Sequence, residues 1–410
     1  MQPESSSERG QALILIVFSI AALFGVAGFA IDGGNLYSDR RRAQNAADTA
    51  ALAGALSRIN GEPWIDTTLR VAAENGYKGD GANVFVEVHS PPDNGTYKGN
   101  IQYIQVRITS RIRTPFAAVV GVPQMTNVVE AVARSKPAEY RPMFDGAAVV
   151  SLEVQSDCDN NKSFWVHAEQ TLSIYDAGVF VNSLNPDCAL IQQANGSIRI
   201  HGDYPIQVAG GWQISKPGLL TPYPPTRTAG VPYPPPFYMP KVNCSGAAEV
   251  SLDGTTMSPG SWGDQFPPEG VSNLESGTYC LTGDFNMGSG SLTGDHVLFD
   301  MEGGQMHISG GVSLNLTAQD SGPNSGLLVY QPMQNKKPVI LNLSADSSFV
   351  GSVLVPGAEI RIKGSDSAAG FHSQLVGYTI NADGDSNVII RYNEDENYKA
   401  LYWPEVQFAK

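Results

Sequence analysis

The chain has little positive charge, little charge of any kind, and no cysteine before position 158. Lysine and arginine number 26 against 40 aspartates and glutamates, a formal net charge of −14, and charged residues make up only 16% of the sequence. Nucleic acid or an anionic bilayer surface as principal partner requires a basic face, which this balance does not supply. No CxxC pair and no cysteine–histidine cluster is present, which argues against a zinc site. The histidines (His89, His167, His201, His296, His307 and His372) are scattered without ligand spacing. A nucleophile elbow, a phosphate-cradling glycine loop and a dinucleotide fingerprint are missing too.

What the sequence does contain is glycine (43) and proline (27), with many serines, threonines and asparagines. That is the composition of an all-β extracellular protein with frequent turns. At 410 residues there is room for two or three domains, each with its own core. The four cysteines, Cys158, Cys188, Cys244 and Cys280, are even in number and widely spaced, which suits two disulfides in an oxidising compartment. Four cysteines allow three connectivities. Nearest-neighbour pairing, Cys158–Cys188 with Cys244–Cys280, closes the shortest loops and is the expected one.

Residues 12–31 read ALILIVFSIAALFGVAGFAI without a charge. As a helix rising about 1.5 Å per residue, this run spans roughly 30 Å, the thickness of a bilayer's hydrocarbon core. A signal peptide is the alternative, with Gly28-Phe29-Ala30 resembling a small-residue cleavage site, but its apolar region is usually only about 7–15 residues. Residues 32–57 continue the helical pattern without proline. Ala43, Ala46, Ala47, Ala50 and Gly54 fall at spacings of three and four, giving one narrow face of small residues. Such a face lets another helix approach closely, although alanine is also simply the best helix former.

Three stretches together, Glu8-Arg9-Gly10-Gln11-Ala12, Ile31-Asp32-Gly33-Gly34 and Arg42-Ala43-Gln44-Asn45-Ala46-Ala47-Asp48-Thr49-Ala50-Ala51-Leu52-Ala53-Gly54-Ala55, resemble the TadE/TadG-like family of the tight-adherence (Flp-type) pilus apparatus. The resemblance is dense over residues 8–56 and looser to about 136. It implies a type IV pilin-like helix, with the remainder outside a bacterial cytoplasmic membrane or displayed on a filament at the cell surface. It also implies other pilin-like subunits, or copies of the same chain, as partners for the small-residue face. Two features depart from the pattern. Leu15 stands five residues after Gly10, where a processed prepilin usually carries glutamate. Arg40, Arg41 and Arg42 follow the apolar run whereas only Arg9 precedes it, which is opposite to the positive-inside rule.

Beyond the helix, residues 63–79 read as a second helix stopped by Gly76, residues 84–89, 103–112 and 126–135 as alternating strands, and residues 115–120 as one or two helical turns. Helices on an antiparallel sheet are the expected result. After Pro137 the chain becomes short apolar runs punctuated by Gly, Asn, Asp and Ser, such as 297–299, 306–308, 312–316, 327–330, 339–343, 353–355, 360–362, 375–380 and 388–392. Phe349-Val350-Gly351-Ser352-Val353-Leu354 echoes Phe371-His372-Ser373-Gln374-Leu375-Val376, and the runs at Val339, Ile360 and Val388 look like successive rungs of one face. A parallel β-helix fits this pattern, with a jelly roll or sandwich as the alternative. The glycine-punctuated stretch 303–311 leading to 326–331 also resembles β-helical regions appended to some Tad-like surface proteins.

The expected fold is therefore mainly β with an N-terminal α-helix. Its segments are a short tail (1–11), a transmembrane and continuing helix (12–57), a small α+β domain (58–136) and a β-solenoid-like domain (137–410) with a proline-rich insertion (216–240). Prolines in that insertion favour extended conformations, suited either to a contact arm or to a rigid excursion covering the solenoid.

No catalytic centre assembles from this pattern, and a non-enzymatic role is expected. Arg361-Ile362-Lys363 and His201-Gly202 match fragments found in polygalacturonases, but the paired acids of that chemistry are missing. Asp157-Cys158-Asp159-Asn160-Asn161 and Asp383-Gly384-Asp385-Ser386-Asn387 have the oxygen density of a calcium site without the spacing of an EF-hand, and acidic turns explain them more simply. The function expected is structural, as a pilus-associated surface protein. The alternative is an adhesin whose aromatics Trp165, Trp212, Tyr223, Tyr233 and Tyr238 face a carbohydrate.

Overall fold

The computed structural model describes residues 8–344, 346–364 and 369–409. It divides into two compact units, one of Met1–Glu139 with Trp403–Lys410 and the other of Tyr140–Tyr402. The protein is mainly β with a long N-terminal helix.

In the first unit, α1 (Glu8–Ile59) is one uninterrupted helix of 52 residues, about 78 Å long at helical rise. Of the expected tail 1–11, positions 1–7 lie outside the described residues and 8–11 are already helical. Alanine-rich sequence without proline sustains the helix, and Gly33 and Gly34 are carried within it. Side chains along residues 13–31 are mostly exposed, Phe18 at 70% and Phe24 at 72%. The segment is long and apolar enough to cross a membrane.

From Gly28 onward one face of α1 is covered: Gly28, Asp32, Asp39, Ala43, Ala46, Ala47 and Ala50, then Ala51, Gly54, Ala55 and Ser57. Its covering is α2 (Trp64–Glu74) and a sheet of β1 (Val84–His89), β2 (Tyr103–Arg113) and β3 (Gln124–Lys136), all antiparallel. Inward residues Ile104, Val106 and Ile108 of β2 and Val129, Ala131 and Ala133 of β3 pack on the alanine stripe. Strand Glu405–Phe408 adds antiparallel to β3, Ala133 opposite Phe408 and Lys136 opposite Glu405. The second domain therefore ends at Tyr402 rather than running to 410, because the last residues complete the first unit's sheet.

The second unit is a coiled stack with three strand positions to a circuit, two of them merged into one long strand in Ser352–Gly364 and again in Leu375–Ala382, and the strands pair in parallel from circuit to circuit. Its ladders are not the antiparallel ones of a jelly roll. Strands Val149–Ser151, Phe164–Val166 and Thr171–Tyr175 form the first circuit. Val179–Val181, Leu190–Gln192 and Ser197–His201 form the second. The order of strands in space does not follow the chain from end to end. Circuits are laid down outward from the middle as far as Thr226–Arg227, where Gln207 still pairs Thr226. The chain then crosses to the opposite end, at Gly260–Trp262, and builds back through Gly277–Leu281, Val297–Met301, Leu327–Tyr330 and Ser352–Gly364 to Leu375–Ala382. That strand pairs with the first circuit, Leu375 opposite Val149 and Ile380 opposite Phe164.

One inward column thus runs unbroken through both halves: Phe285, Met306, Val339, Ile360, Ile380, Phe164, Leu190, Trp212. Alternation along each strand sends these residues to the core and their neighbours outward. The echo noted in the sequence falls on paired positions, Phe349 opposite Phe371 and Val353 opposite Leu375. Val339 and Ile360 are also paired, but Val388 is not their continuation; it lies on a different sheet, opposite Leu172, and Ile380 takes the next rung.

The proline-rich insertion (216–240) divides in two. Its first part supplies the end strands Leu220–Thr221 and Thr226–Arg227. Its second begins the return path along the outside of the stack. Val231 is bracketed by Asn182, which accepts from its N–H at 2.7 Å and donates to its carbonyl at 3.0 Å. Tyr233 Oη then donates to the Pro356 carbonyl at 2.9 Å, and further along Ala247 bridges Ser261.

Disulfides pair Cys158 with Cys188 and Cys244 with Cys280, at sequence separations of 30 and 36. The first ties the loop leaving Val149–Ser151 to the second circuit; the second pins the return path to strand Gly277–Leu281. Closing loops of this length removes about 3–4 kcal/mol of denatured-state entropy each. Replacing Cys158 and Cys188 together by alanine is expected to lower the unfolding free energy of the second unit by about that amount. Urea unfolding followed by circular dichroism measures it, and an unchanged midpoint would contradict the assignment.

Candidate functional site

In the first unit, the functional groups are those that lock the helix to its sheet. Asp39 lies on the alanine stripe, 6% exposed. Its Oδ1 accepts from Tyr77 Oη at 2.8 Å, and its Oδ2 accepts from Ser110 Oγ at 2.5 Å and Asn127 Nδ2 at 2.8 Å. These donors come from the end of the α2 hairpin, from β2 and from β3, so one carboxylate joins three segments to α1. Burial pushes the Tyr77 phenol well above its usual range, and its hydrogen bond to Asp39 adds to the shift. Seven residues earlier, Asp32 Oδ2 accepts the backbone N–H groups of Phe116 and Ala117 at 3.1 and 2.7 Å. Farther along, Ser135 Oγ donates to the Ala55 carbonyl at 3.1 Å.

The small-residue face is therefore occupied by the chain itself. Ala43, Ala46, Ala47 and Ala50 are fully buried under the sheet, and a Cβ at Gly54 would run into Thr68 Oγ1 of α2. The expectation that this face receives a partner helix is corrected: close approach is what these residues permit, but the occupant is intramolecular. Asp32 and Asp39 are site residues that the sequence analysis does not single out. Their signal was available, since acids seven residues apart in register with Ala43, Ala46 and Ala50 lie on the stripe that must be buried.

In the second unit the aromatic candidates do not gather. Trp165 points outward from Phe164–Val166, its indole N–H donating to Gln193 Oε1 at 2.9 Å. The His167 ring stacks on it at 3.5 Å, and Lys162 Nζ stands 3.5 Å from it. Trp212 takes the inward position of its strand, in register with Leu190, and packs against the core. Tyr233 belongs to the return path and meets Tyr378 at 5.3 Å between ring centres. Tyr223 and Tyr238 are half exposed, on separate stretches of the insertion.

Arg361 and Lys363 alternate with the buried Ile360 and Ile362 and are ion-paired, Arg361 with Glu359 and Lys363 with Asp383, both at 3.0 Å. Asp157 Oδ1 accepts the N–H groups of Asp159, Asn160 and Asn161, which holds its carboxyl below the usual range and closes the turn. Both calcium-like stretches thus have internal uses for their lead carboxylates. Asp300 and Glu302 approach Cys280, but that sulfur is bonded to Cys244 and offers no thiolate. Asp300 is 4% exposed and its Oδ1 has no hydrogen-bond partner among the described residues. Burial, aided by the charge of Glu302, pushes its carboxyl up to about 7.

These features define a mainly β protein whose helix is long and apolar enough to cross a membrane and is bolted at its far end to an antiparallel sheet. Residues 10–57 match the family described as putative Flp pilus-assembly TadE/G-like. No curated protein matches the chain, and neither does any solved structure. The N-terminal segment is thus similar to TadE/G-like proteins, which supports involvement in Flp/Tad pilus assembly and fits association with a membrane or cell surface.

Two outcomes follow from the buried acids. Asp39→Ala strands three buried donors and is expected to destabilise the first unit by about 3–5 kcal/mol, while Asp39→Asn, which keeps the shape, costs less. Denaturation of the full chain in detergent checks the order of the two. For Asp300 the folded state holds a proton that the unfolded chain releases near pH 4, so stability falls as pH rises from about 4 to about 7 and stays lower above it. Asp300→Asn is expected to be more stable than the unaltered chain at pH 8, by roughly 1–3 kcal/mol, with the difference fading toward pH 4. An equal difference at both pH values would refute the burial argument.

Proposed function

We propose that the chain is a non-enzymatic structural protein of a Flp/Tad-type pilus system, held in the cytoplasmic membrane or in a filament by α1, with its parallel-strand unit displayed outside. The observation that carries this reading is the division of α1. Its TadE/G-like length is covered along one stripe by the chain's own sheet from Asp32 onward, yet residues 13–31, Gly28 apart, are left bare and apolar. An uncovered apolar surface of that length is stable in lipid or against other membrane helices, not in water. Pilin-like partners meet this bare length rather than the alanine stripe. Two disulfides favour the oxidising side of the membrane for the second unit. The parallel stack is read as a β-helix, a form that presents long, flat lateral faces without requiring a catalytic cleft.

A carbohydrate-binding role draws on Trp165 and its stacked His167 alone, since the other aromatics lie elsewhere, and it ranks second. The deciding experiment shears the source cells and probes the sheared fraction and the washed membranes for the chain. Recovery in filaments identifies a subunit. Membrane retention with the second unit cleaved by protease on intact cells identifies an anchored assembly protein. Protection of that unit in cells whose outer barrier alone is permeabilised would place it in the cytoplasm and overturn the proposed orientation.

A further inference from the structure

The turn between β2 and β3 combines three properties that the first unit's core does not explain. No charged residue occurs from position 114 to 129. Its large apolar side chains face outward: Phe116 is 46% exposed, Val119 86%, Val120 66% and Val122 39%. And it is fastened to α1 at the end of the apolar run, where the carboxylate of Asp32 holds the N–H groups of Phe116 and Ala117. Phe116 lies so close over Gly28 that a Cβ there would be 2.7 Å from its own Cβ.

We propose that residues 115–122 form a second membrane contact, a short apolar wedge dipping into the leaflet that the C-terminal end of the apolar run crosses. This rests on the reading of α1 as a membrane-spanning helix. Gly28 is three residues inside the end of the run, about 5 Å along the helix axis. When residues 12–31 fill the hydrocarbon core, the Phe116 ring is carried to that depth, within the roughly 5–10 Å that interfacial segments reach. Continuity with the helix selects lipid as the occupant, because wedge and helix present one uninterrupted apolar surface at the same level. Arg113, exposed beside the wedge, and Arg40, Arg41 and Arg42, two to three turns beyond Asp32, stand where long cationic side chains reach phosphate groups. Attachment at two points fixes the rotation of the first unit about α1, which a lone helix leaves free.

Depth-dependent quenching tests the proposal on the full chain reconstituted into phosphatidylcholine vesicles brominated on the acyl chains. Three single variants are compared with the unaltered chain: Val119→Trp in the wedge, Phe24→Trp in the apolar run, and Leu252→Trp at an exposed site of the second unit. The expected result is a blue-shifted emission lost to bromolipid for both Val119→Trp and Phe24→Trp, with none lost for Leu252→Trp. Quenching of Phe24→Trp while Val119→Trp behaves like Leu252→Trp would overturn the wedge and leave the spanning helix standing; a protein partner covering the turn gives this same result. Absence of quenching at Phe24→Trp would remove the spanning reading and the wedge with it.

Discussion

Strand Leu375–Ala382 lies between the last circuit of the second unit and its first, with Ser352–Gly364 on one side and Val149–Ser151 and Phe164–Val166 on the other. Each half-stack alone would end there in unpaired backbone and a bare apolar rung. Joined, they share one core column in which Ile360, Ile380 and Phe164 follow one another without a break. Val149 and Leu375 are 375 − 149 = 226 positions apart. Contacts of that separation carry a loop-closure cost before they return any burial. The first circuits therefore wait for the last one before their inner edge is covered.

Growth outward from a central seam forces the chain to travel back along the stack, and the proline-rich segment is the physical answer. Extended, proline-stiffened backbone loses little conformational freedom on being laid over a surface. It needs few ladder bonds, and here its hold on the stack is scattered: the Asn182 side chain on Val231, the Tyr233 hydroxyl on the Pro356 carbonyl and the bridge of Ala247 to Ser261. Cys244–Cys280 fastens its far end to strand Gly277–Leu281 of the second half-stack. The second part of the insertion packs, through Val231, Tyr233, Phe237 and Met239, in one cluster with Leu298, Leu354 and Val376, which turn outward from their strands.

Period and composition made the apolar run, the antiparallel layer and the parallel stacking legible, because each depends on local pattern. The Phe349 and Phe371 repeat was visible for the same reason: equivalent positions in successive circuits meet equivalent neighbours. Strand order was not legible. Nothing in the runs at 149–151 and 375–377 distinguishes partners from strangers, and a solenoid read in chain order misassigns Val388. The aromatics do not share one face because strand alternation sends Trp165 outward and Trp212 inward, which requires knowing the register. The alanine face is legible as a close-packing surface, yet whether its occupant is internal or external depends on sheet strands far along the chain, β2 and β3 among them.

Alanine explains proximity on that face but not register. Each buried methyl contributes about 0.8 kcal/mol or less, and a stripe of near-identical methyls packs nearly as well after sliding one turn. Sliding is forbidden by the polar groups. Moved by a turn, Asp39 would lose Tyr77, Ser110 and Asn127 together and bury an unpaired carboxylate among them. Asp32 would likewise abandon the N–H groups of Phe116 and Ala117. Two acids in an otherwise small and apolar stripe thus set the position of the sheet along α1 to within a residue. Because the apolar run ends one position before Asp32, the same contacts determine how far from its hydrophobic end the helix first acquires a protein sheath.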